Sequence, residues 1–492
     1  MVVPPDPGAA RRSGGARALR RGPGPDRSGW RSRRDRRSAR AHAAAAGHGR
    51  RAGAGLARGR AGPALQRHSG GLRAAHHASG HPGRGRVRRR RRGRPCRPAG
   101  PSRDDARPPD EGTGSRTANE LAEEQERLGA TIGAGAGLDR SSVSLAALTP
   151  NLGPSLDLLA DVVRNPGFKP QDIERLRGQQ LAAIASELTQ PNGLAGRALP
   201  PLLYGPDHPY GRPGGSGDPD AVRAITREDI LAFHRSWVRP DNATIFAVGD
   251  LPLAQLTAQL EARFGNWRAP DAPRGTKSFA AAVPQPQPRI VLIDRPQSPQ
   301  SLIVGAQLLD ANGRQDLLAL SAANDVVAGD FMARLNMELR ERRGWSYGVR
   351  GGPGLREHQI AYTVQAPVQA DKTGESIAAL RDLMGAFLTT SGTQAGELER
   401  VVQGSTRELP GQFQTSNALL GSMMSNALHA RPDDYWETIA DRYRGLSADE
   451  LDREARRLID PDRFVWVVVG DAAVVRPQLA ALGLPIEDLR IE

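Results

Sequence analysis

Cysteine is almost missing from these 492 residues. Cys96 stands alone, so no disulfide framework can hold the fold together. Long apolar runs are missing as well: no uninterrupted stretch approaches the ~18 residues of a spanning helix, which excludes one. Pro4, Pro5 and Pro7, followed by Arg runs, leave no room for the apolar core of a signal peptide. Aromatic residues make up 4% of the chain, and Trp30 is the only one in the first 110 residues. That segment also contains no Lys and no Glu. It carries 29 Arg and 6 Asp, a net of +23, whereas the remainder carries 39 basic and 48 acidic side chains, a net of −9. The overall charge of +14 therefore belongs to one segment. Residues 111–492 have the balance of an ordinary acidic globular protein, large enough for two cores.

Residues 1–110 consist mainly of Arg, Gly, Ala, Pro and Ser, with a run from Arg88 to Arg92. Such a composition cannot bury enough apolar surface to offset chain entropy and predicts disorder. Arg clusters neutralise phosphates, so a nucleic-acid-binding arm is one reading. The shortage of stacking aromatics and the absence of an RGG period count against it. A functionless polycationic tail is the second. A wrong-frame translation of a GC-rich gene is the third and the favoured one, because the composition changes abruptly at Glu111.

From there on the pattern is α+β. Thr117-x-x-Glu120 is a capping box, and Gly129 closes the helix it opens. Residues 142–146 alternate as a half-buried strand. Helices follow over 152–164 and from Pro170, the latter carrying Ile173, Leu176, Leu181 and Ile184 on its apolar positions. The Gly/Pro-rich stretch 195–218 reads as a loop. Thr226-x-x-Asp229 opens another helix, and Ala243–Val248 is a buried strand. Residues 269–288 form a Pro-rich, semi-rigid linker. A second unit runs from the strand at Ile290 to the strand Phe464–Val469.

The two units repeat each other. Pro240-Asp241 corresponds to Pro461-Asp462, Gly249-Asp250 to Gly470-Asp471, and Thr226/Asp229/Ile230 to Ser447/Glu450/Leu451, always 221 residues apart. A constant offset of this kind indicates internal duplication. The expected organisation is therefore a segment 1–110, a first half 111–268, a linker 269–288 and a second half 289–492. Each half is expected to be an antiparallel-rich sheet with helices on one face. The first half lacks the opening strands and a helix that the second possesses, so it should expose a strand edge.

Several stretches resemble the pitrilysin/insulinase-type zinc peptidases, the inverzincins, which include the mitochondrial processing peptidase. They are Glu111–Ala118, Tyr204–Gly211, Trp237–Ala243 with Gly249-Asp250, Asp294-Arg295-Pro296 with Gln300-Ser301, and Arg334-Leu335 through Leu339-Arg340-Glu341 to Tyr347. The resemblance spans about residues 111–480. It implies two similar α+β halves and, in active members, a His-x-x-Glu-His helix that binds zinc, with a distal Glu as third ligand. Positions 103–107, where that motif would fall, contain Arg103, Ala106 and Arg107. His76, His77 and His81 lack an accompanying Glu. In the distal helix, Glu174-Arg175-Leu176-Arg177 places Leu176 and, two turns later, Ala183 where active members carry carboxylates.

The resemblance further implies that Arg340 and Tyr347, seven residues apart, bind substrate across an internal chamber. Arg supplies a forked donor and Tyr a hydroxyl for a developing oxyanion. The competing reading pairs Arg340 with a helix carboxylate and starts a strand at Tyr347. His208 is expected to stabilise a turn, and His234, His358 and His429 to be structural or exposed. Met423-Met424 reads as core, and Gly351–Gly354 as a flexible turn.

The expected function is that of a non-catalytic subunit of a heterodimeric zinc peptidase. Such a subunit binds no zinc itself and lends Arg340 and Tyr347 to a zinc-bearing homologous partner that cleaves peptides or unfolded proteins. The alternatives are a structural scaffold of the same family, or an active zinc metalloendopeptidase whose motif is lost from this reading. Export or a periplasmic location is suggested by the family alone.

Overall fold

The computed structural model describes residues 111–285 and 287–491 together with the backbone of β1 (Gly71–Ala75). The expectations for residues 1–110, including disorder, His76, His77, His81 and the positions 103–107, otherwise lie outside the described residues.

In the first half a capping box at Thr117 and Glu120 starts α1 (Ala118–Leu128), and Gly129 ends it in the left-handed conformation at φ 61°. The strands β2 (Thr131–Ala136) and β3 (Ser141–Ala146) pair antiparallel. Helices α2 (Leu152–Arg164), α3 (Pro170–Leu188), α4 (Pro191–Tyr204), α5 (Pro219–Ala224) and α6 (Arg227–Trp237) follow, then β4 (Thr244–Val248) and α7 (Leu253–Phe264). Pro at a first-turn position opens α3, α4 and α5, where its missing N–H has no intrahelical partner to lose.

The second half contains β5 (Arg289–Asp294), β6 (Gln300–Asn312), α8 (Leu318–Asn324) with a π-helical extension Asp325–Gly329, and α9 (Arg334–Asn336) with another, Met337–Arg342. Then come β7 (Arg350–Gly354), β8 (Gln359–Gln369), α10 (Thr373–Thr389), α11 (Ala395–Gln412), α12 (Ser416–Leu428), α13 (Tyr435–Arg444), α14 (Ala448–Leu458), β9 (Val465–Gly470), α15 (Ala472–Ala480) and β10 (Ile486–Asp488). Its sheet runs β10-β5-β9-β6-β8-β7, antiparallel from β9 onward. Capping boxes start both α6 and α14, as the repeat requires.

The first sheet, β2-β3-β1-β4, has the same plan with pieces exchanged. Its middle slot is filled by β1, which runs parallel to both β3 and β4. In the second sheet the strand in that slot, β6, runs antiparallel to both neighbours. Among the described strands β4 ends the first sheet, whereas its counterpart β9 lies between β5 and β6. All of β9 is buried, but every residue of β4 is half-exposed.

Each half's own helices cover one face of its sheet, and the other face receives a helix from the opposite half. In the second half, Ile290, Ile303, Trp466 and Val468 point to the helices of that half. On the other side Val291, Val304, Val465, Val467 and Val469 meet Leu194, Ala198 and Leu203 of α4. Burial on both faces explains why β9 is a continuous apolar run. Reciprocally, α12 packs against β4 and β1.

Four local expectations are corrected. The strand expected to be buried at Ala243–Val248 is half-exposed over all of Thr244–Val248, because among the described strands only β1 pairs with it. The stretch 195–218 is not all loop, because α4 continues through Pro200 and Pro201 to Tyr204, held by burial of its apolar side on the second sheet. Gly351–Gly354 is not a turn but part of the edge strand β7, where Pro353 is tolerated. A Cβ at Gly351 would lie 2.8 Å from the Thr363 carbonyl oxygen, so the missing side chain permits close approach. Met423 and Met424 are half-exposed on α12 rather than core.

Candidate functional site

Arg340 and Tyr347 come together at the end of the π-helical turn Met337–Arg342. The Arg340 guanidinium stacks over Phe331, 4.6 Å from the ring centroid, and lies 5.8 Å from that of Tyr347. Its Nε also reaches Glu341 Oε1 at 3.4 Å, a weak exposed ion pair. Tyr347 is 88% exposed.

The backbone that carries this phenol is tied on both sides. Ser346 Oγ donates to the Pro367 carbonyl (2.7 Å) and accepts from Gly348 N–H (3.1 Å). The next residue, Val349, donates its N–H to Asn336 Oδ1 (3.0 Å). Gly344 takes the positive φ of 67° that lets the chain leave the helix. Below, Arg342 and Arg343 both donate to Glu338, at 2.9 and 2.6 Å. Burial would push the Glu338 carboxyl up, but these two donors outweigh it and hold the group below the usual carboxylate range. Phe331 and Met332, 44% and 48% exposed, extend the patch with apolar surface. Sequence reasoning missed this pair, since an adjacent Phe-Met before a helix carries no mark of exposure.

Leu176 and Ala183 lie on one stripe of α3 with Ile173 and Gln180 and line a cavity of about 750 Å³. Its other walls include Ile230, Phe233 and His234. These side chains do not fit a zinc site. Leu176 and Ala183 have no donor atoms, and His234 Nε2 lies 2.9 Å from the Val163 carbonyl oxygen. Among the described residues no three His, Cys, Asp or Glu side chains come together as ligands.

The other stretches singled out in the sequence act structurally. Thr113, fully buried, donates to Asp161 at 2.7 Å, and Arg116 reaches the same carboxylate at 2.6 Å. Arg239, 5% exposed, donates to Asp241 (2.5 Å) and to the carbonyls of Ala272 (2.5 Å) and Pro270 (3.3 Å), fixing the linker to the first half. His208 Nδ1 accepts from Tyr210 N–H at 3.0 Å, the turn-stabilising role expected of it. Its ring joins Tyr204, Tyr210 and Phe279 in an aromatic cluster between the halves. Burial lowers the His208 pKa and pushes the Tyr204 phenol up to about 12. His358 stacks on Phe279 with centroids 3.5 Å apart.

Two family models match this chain. The insulinase model (peptidase family M16) covers residues 111–197, and the peptidase M16 inactive-domain model covers 224–405, together more than half of the chain. The chain belongs to the pitrilysin/insulinase-type M16 peptidase family. An uncharacterized zinc protease of Mycobacterium tuberculosis is 26% identical over 288 residues, which span 58% of this chain and 64% of that protein. The uncharacterized zinc protease YmxG of Bacillus subtilis is 20% identical over 353 residues, 71% of this chain and 83% of that one. Among solved structures, an M16 inactive domain from Pseudomonas fluorescens superposes with a TM-score of 0.66 at 26% identity, covering 75% of this chain and 90% of that one. A Helicobacter pylori protease shares the fold with a TM-score of 0.63 at 16% identity, covering 73% of this chain and 86% of that one.

Proposed function

We propose that this M16 chain is the non-catalytic member of a heterodimeric peptidase. It forms half of a peptide-enclosing chamber and presents Arg340 and Tyr347 to a substrate held at the zinc centre of a homologous partner. The reading rests chiefly on the exposed Tyr347 phenol, displayed on a backbone that is hydrogen-bonded on both sides. The phenol can donate to an oxyanion forming on the scissile carbonyl, and the forked guanidinium can bind a peptide carbonyl or a C-terminal carboxylate. Phe331 and Met332 offer apolar surface beside them for a substrate side chain. Activation of water would be supplied by zinc in the partner; Leu176 and Ala183 bring no donor atoms to this chain's own groove, and among the described residues no three His, Cys, Asp or Glu side chains come together.

The test is to mix the chain with a zinc-containing M16 homologue and follow cleavage of a fluorogenic peptide. Wild type should stimulate cleavage, and Tyr347→Phe should lower kcat by about a hundredfold. Arg340→Ala should act mainly on KM. Equal stimulation by wild type and Tyr347→Phe would defeat the reading and favour a scaffold, which has no use for this pair.

A further inference from the structure

Asn336 is 3% exposed, although an asparagine there favours neither helix formation nor apolar packing. It is the last residue of α9 and stands just before the π-helical turn that carries Arg340. A buried amide needs partners for both its donor and its acceptor. Asn336 Nδ2 donates to the Phe331 carbonyl at 2.6 Å, and Oδ1 accepts from Val349 N–H at 3.0 Å. Both bonds leave the helical turn. One reaches the segment that exposes Phe331 and Met332, and the other reaches the segment that exposes Tyr347. The remaining ties of these segments run elsewhere. Asp330 pairs with Arg400 at 2.7 Å and Arg334 with Glu397 at 2.6 Å, which stakes the first segment to α11. Ser346 Oγ holds the second to the Pro367 carbonyl of β8. Asn336 joins the two to each other and to the helical turn of Arg340. Phe331 is thereby held at its carbonyl by Asn336 and at its ring by the Arg340 guanidinium.

We infer that Asn336 is a positioning residue, which sets the spacing of Arg340, Phe331 and Tyr347 without touching substrate itself. The role rests on the substrate contacts proposed above for Arg340 and Tyr347. The amide is planar and keeps its N–H donor and its carbonyl acceptor at a fixed separation, so it imposes one geometry on both segments. Aspartate would set a second acceptor against the Phe331 carbonyl. An apolar side chain would leave a carbonyl and an N–H without partners. In either case the Tyr347 phenol stays on the chain but drifts from the point where charge develops, and a shift of about 1 Å can cost a hundredfold in rate.

The test uses Asn336→Ala, alone and combined with Tyr347→Phe, in the full-length chain. In the chain by itself, Asn336→Ala should speed hydrogen exchange of the Val349 amide at least about tenfold, while the amides of β8 keep their protection. Mixed with the zinc-containing homologue, Asn336→Ala should lower kcat for the fluorogenic peptide about tenfold. In the Tyr347→Phe background the same change should alter kcat by less than about twofold, because the hydroxyl that Asn336 places is already gone. KM should rise in both backgrounds, since Phe331 and Arg340 are loosened in both. Asn336→Leu, which refills the volume, carries the same comparison should the Ala chain not fold at the assay temperature. An equal fall of kcat in both backgrounds would mark a merely structural role and overturn the inference, as would unchanged exchange at Val349. If Tyr347→Phe lowers kcat and Asn336→Ala does not, the positioning role falls while the proposed function stands. If Tyr347→Phe changes nothing, the proposed function itself fails and takes this role with it.

Discussion

Replacing Leu194 with Ala tests the exchange of helices between the halves. Leu194 belongs to the first half by sequence but is 8% exposed against the second sheet, among Val465, Val467 and Val469. The change removes three carbons and leaves a cavity that the rigid sheet cannot collapse, at a cost of about 3 kcal/mol. With an unfolding entropy of about 2.1 cal/mol/K per residue over roughly 380 ordered residues, the melting temperature should fall by about 4 °C. Calorimetry reads that shift. Hydrogen exchange reads its location: amides of Val465–Gly470, far away in sequence, should exchange about a hundredfold faster, because 3 kcal/mol is lost from the unit they share. Leu253→Ala, at a position 52% exposed, serves as the near-neutral control. If only the amides of α4 became faster while β9 kept its protection, α4 would be loosely docked and the interlocked description would be wrong.

Tyr210→Phe removes a fully buried hydroxyl that donates to Asp139 and accepts from His358 N–H at 3.2 Å; urea unfolding should show a loss of about 2 kcal/mol, and an unchanged midpoint would contradict the bond. Gly305→Ala would put a Cβ 2.6 Å from Trp466 Cζ3 and 2.8 Å from Phe464 Cδ2, so it should cost about 2 kcal/mol and alter tryptophan fluorescence. Burial, with Asp330 adding repulsion, pushes the Asp325 carboxyl up to about 7. The folded chain therefore holds a proton there that the unfolded chain releases near pH 4. Stability from this group is full below about pH 4 and lost as pH rises to about 7, by an amount of order 4 kcal/mol. Asp325→Asn should flatten that slope and raise stability at pH 8, and an identical pH profile for both chains would refute it.

Much of this fold can be read from the sequence because its signals are local. Capping boxes at Thr117, Thr226 and Ser447 mark helix starts through side-chain-to-backbone bonds that form without tertiary help. The 221-residue offset revealed the duplication because caps and strand ends recur in register. Elements decided by distant partners were hidden. α4 contains Pro200 and Pro201 and survives on contacts with a sheet some hundred residues later. β7 looks like a turn until β8 lies beside it. At the site, Arg340 and Tyr347 stood out through their spacing and their resemblance to the family, whereas Phe331 and Met332 depend on exposure, which no periodicity encodes. Leu176 and Ala183 were legible as apolar positions of α3, but the cavity they line depends on α6, β2 and β3 standing opposite, which the sequence does not show.

The stitching of the linker has a mechanical consequence. Phe279 is clamped between His358 and the Tyr210–His208 pair, Trp237 lies beneath Lys277, and Arg239 grips two linker carbonyls. A hinge needs a segment whose torsions can turn without breaking contacts, and this one would have to break several at once. In the heterodimer proposed above, opening and closing around a peptide would therefore take place where the two chains meet, with each chain moving as a rigid jaw.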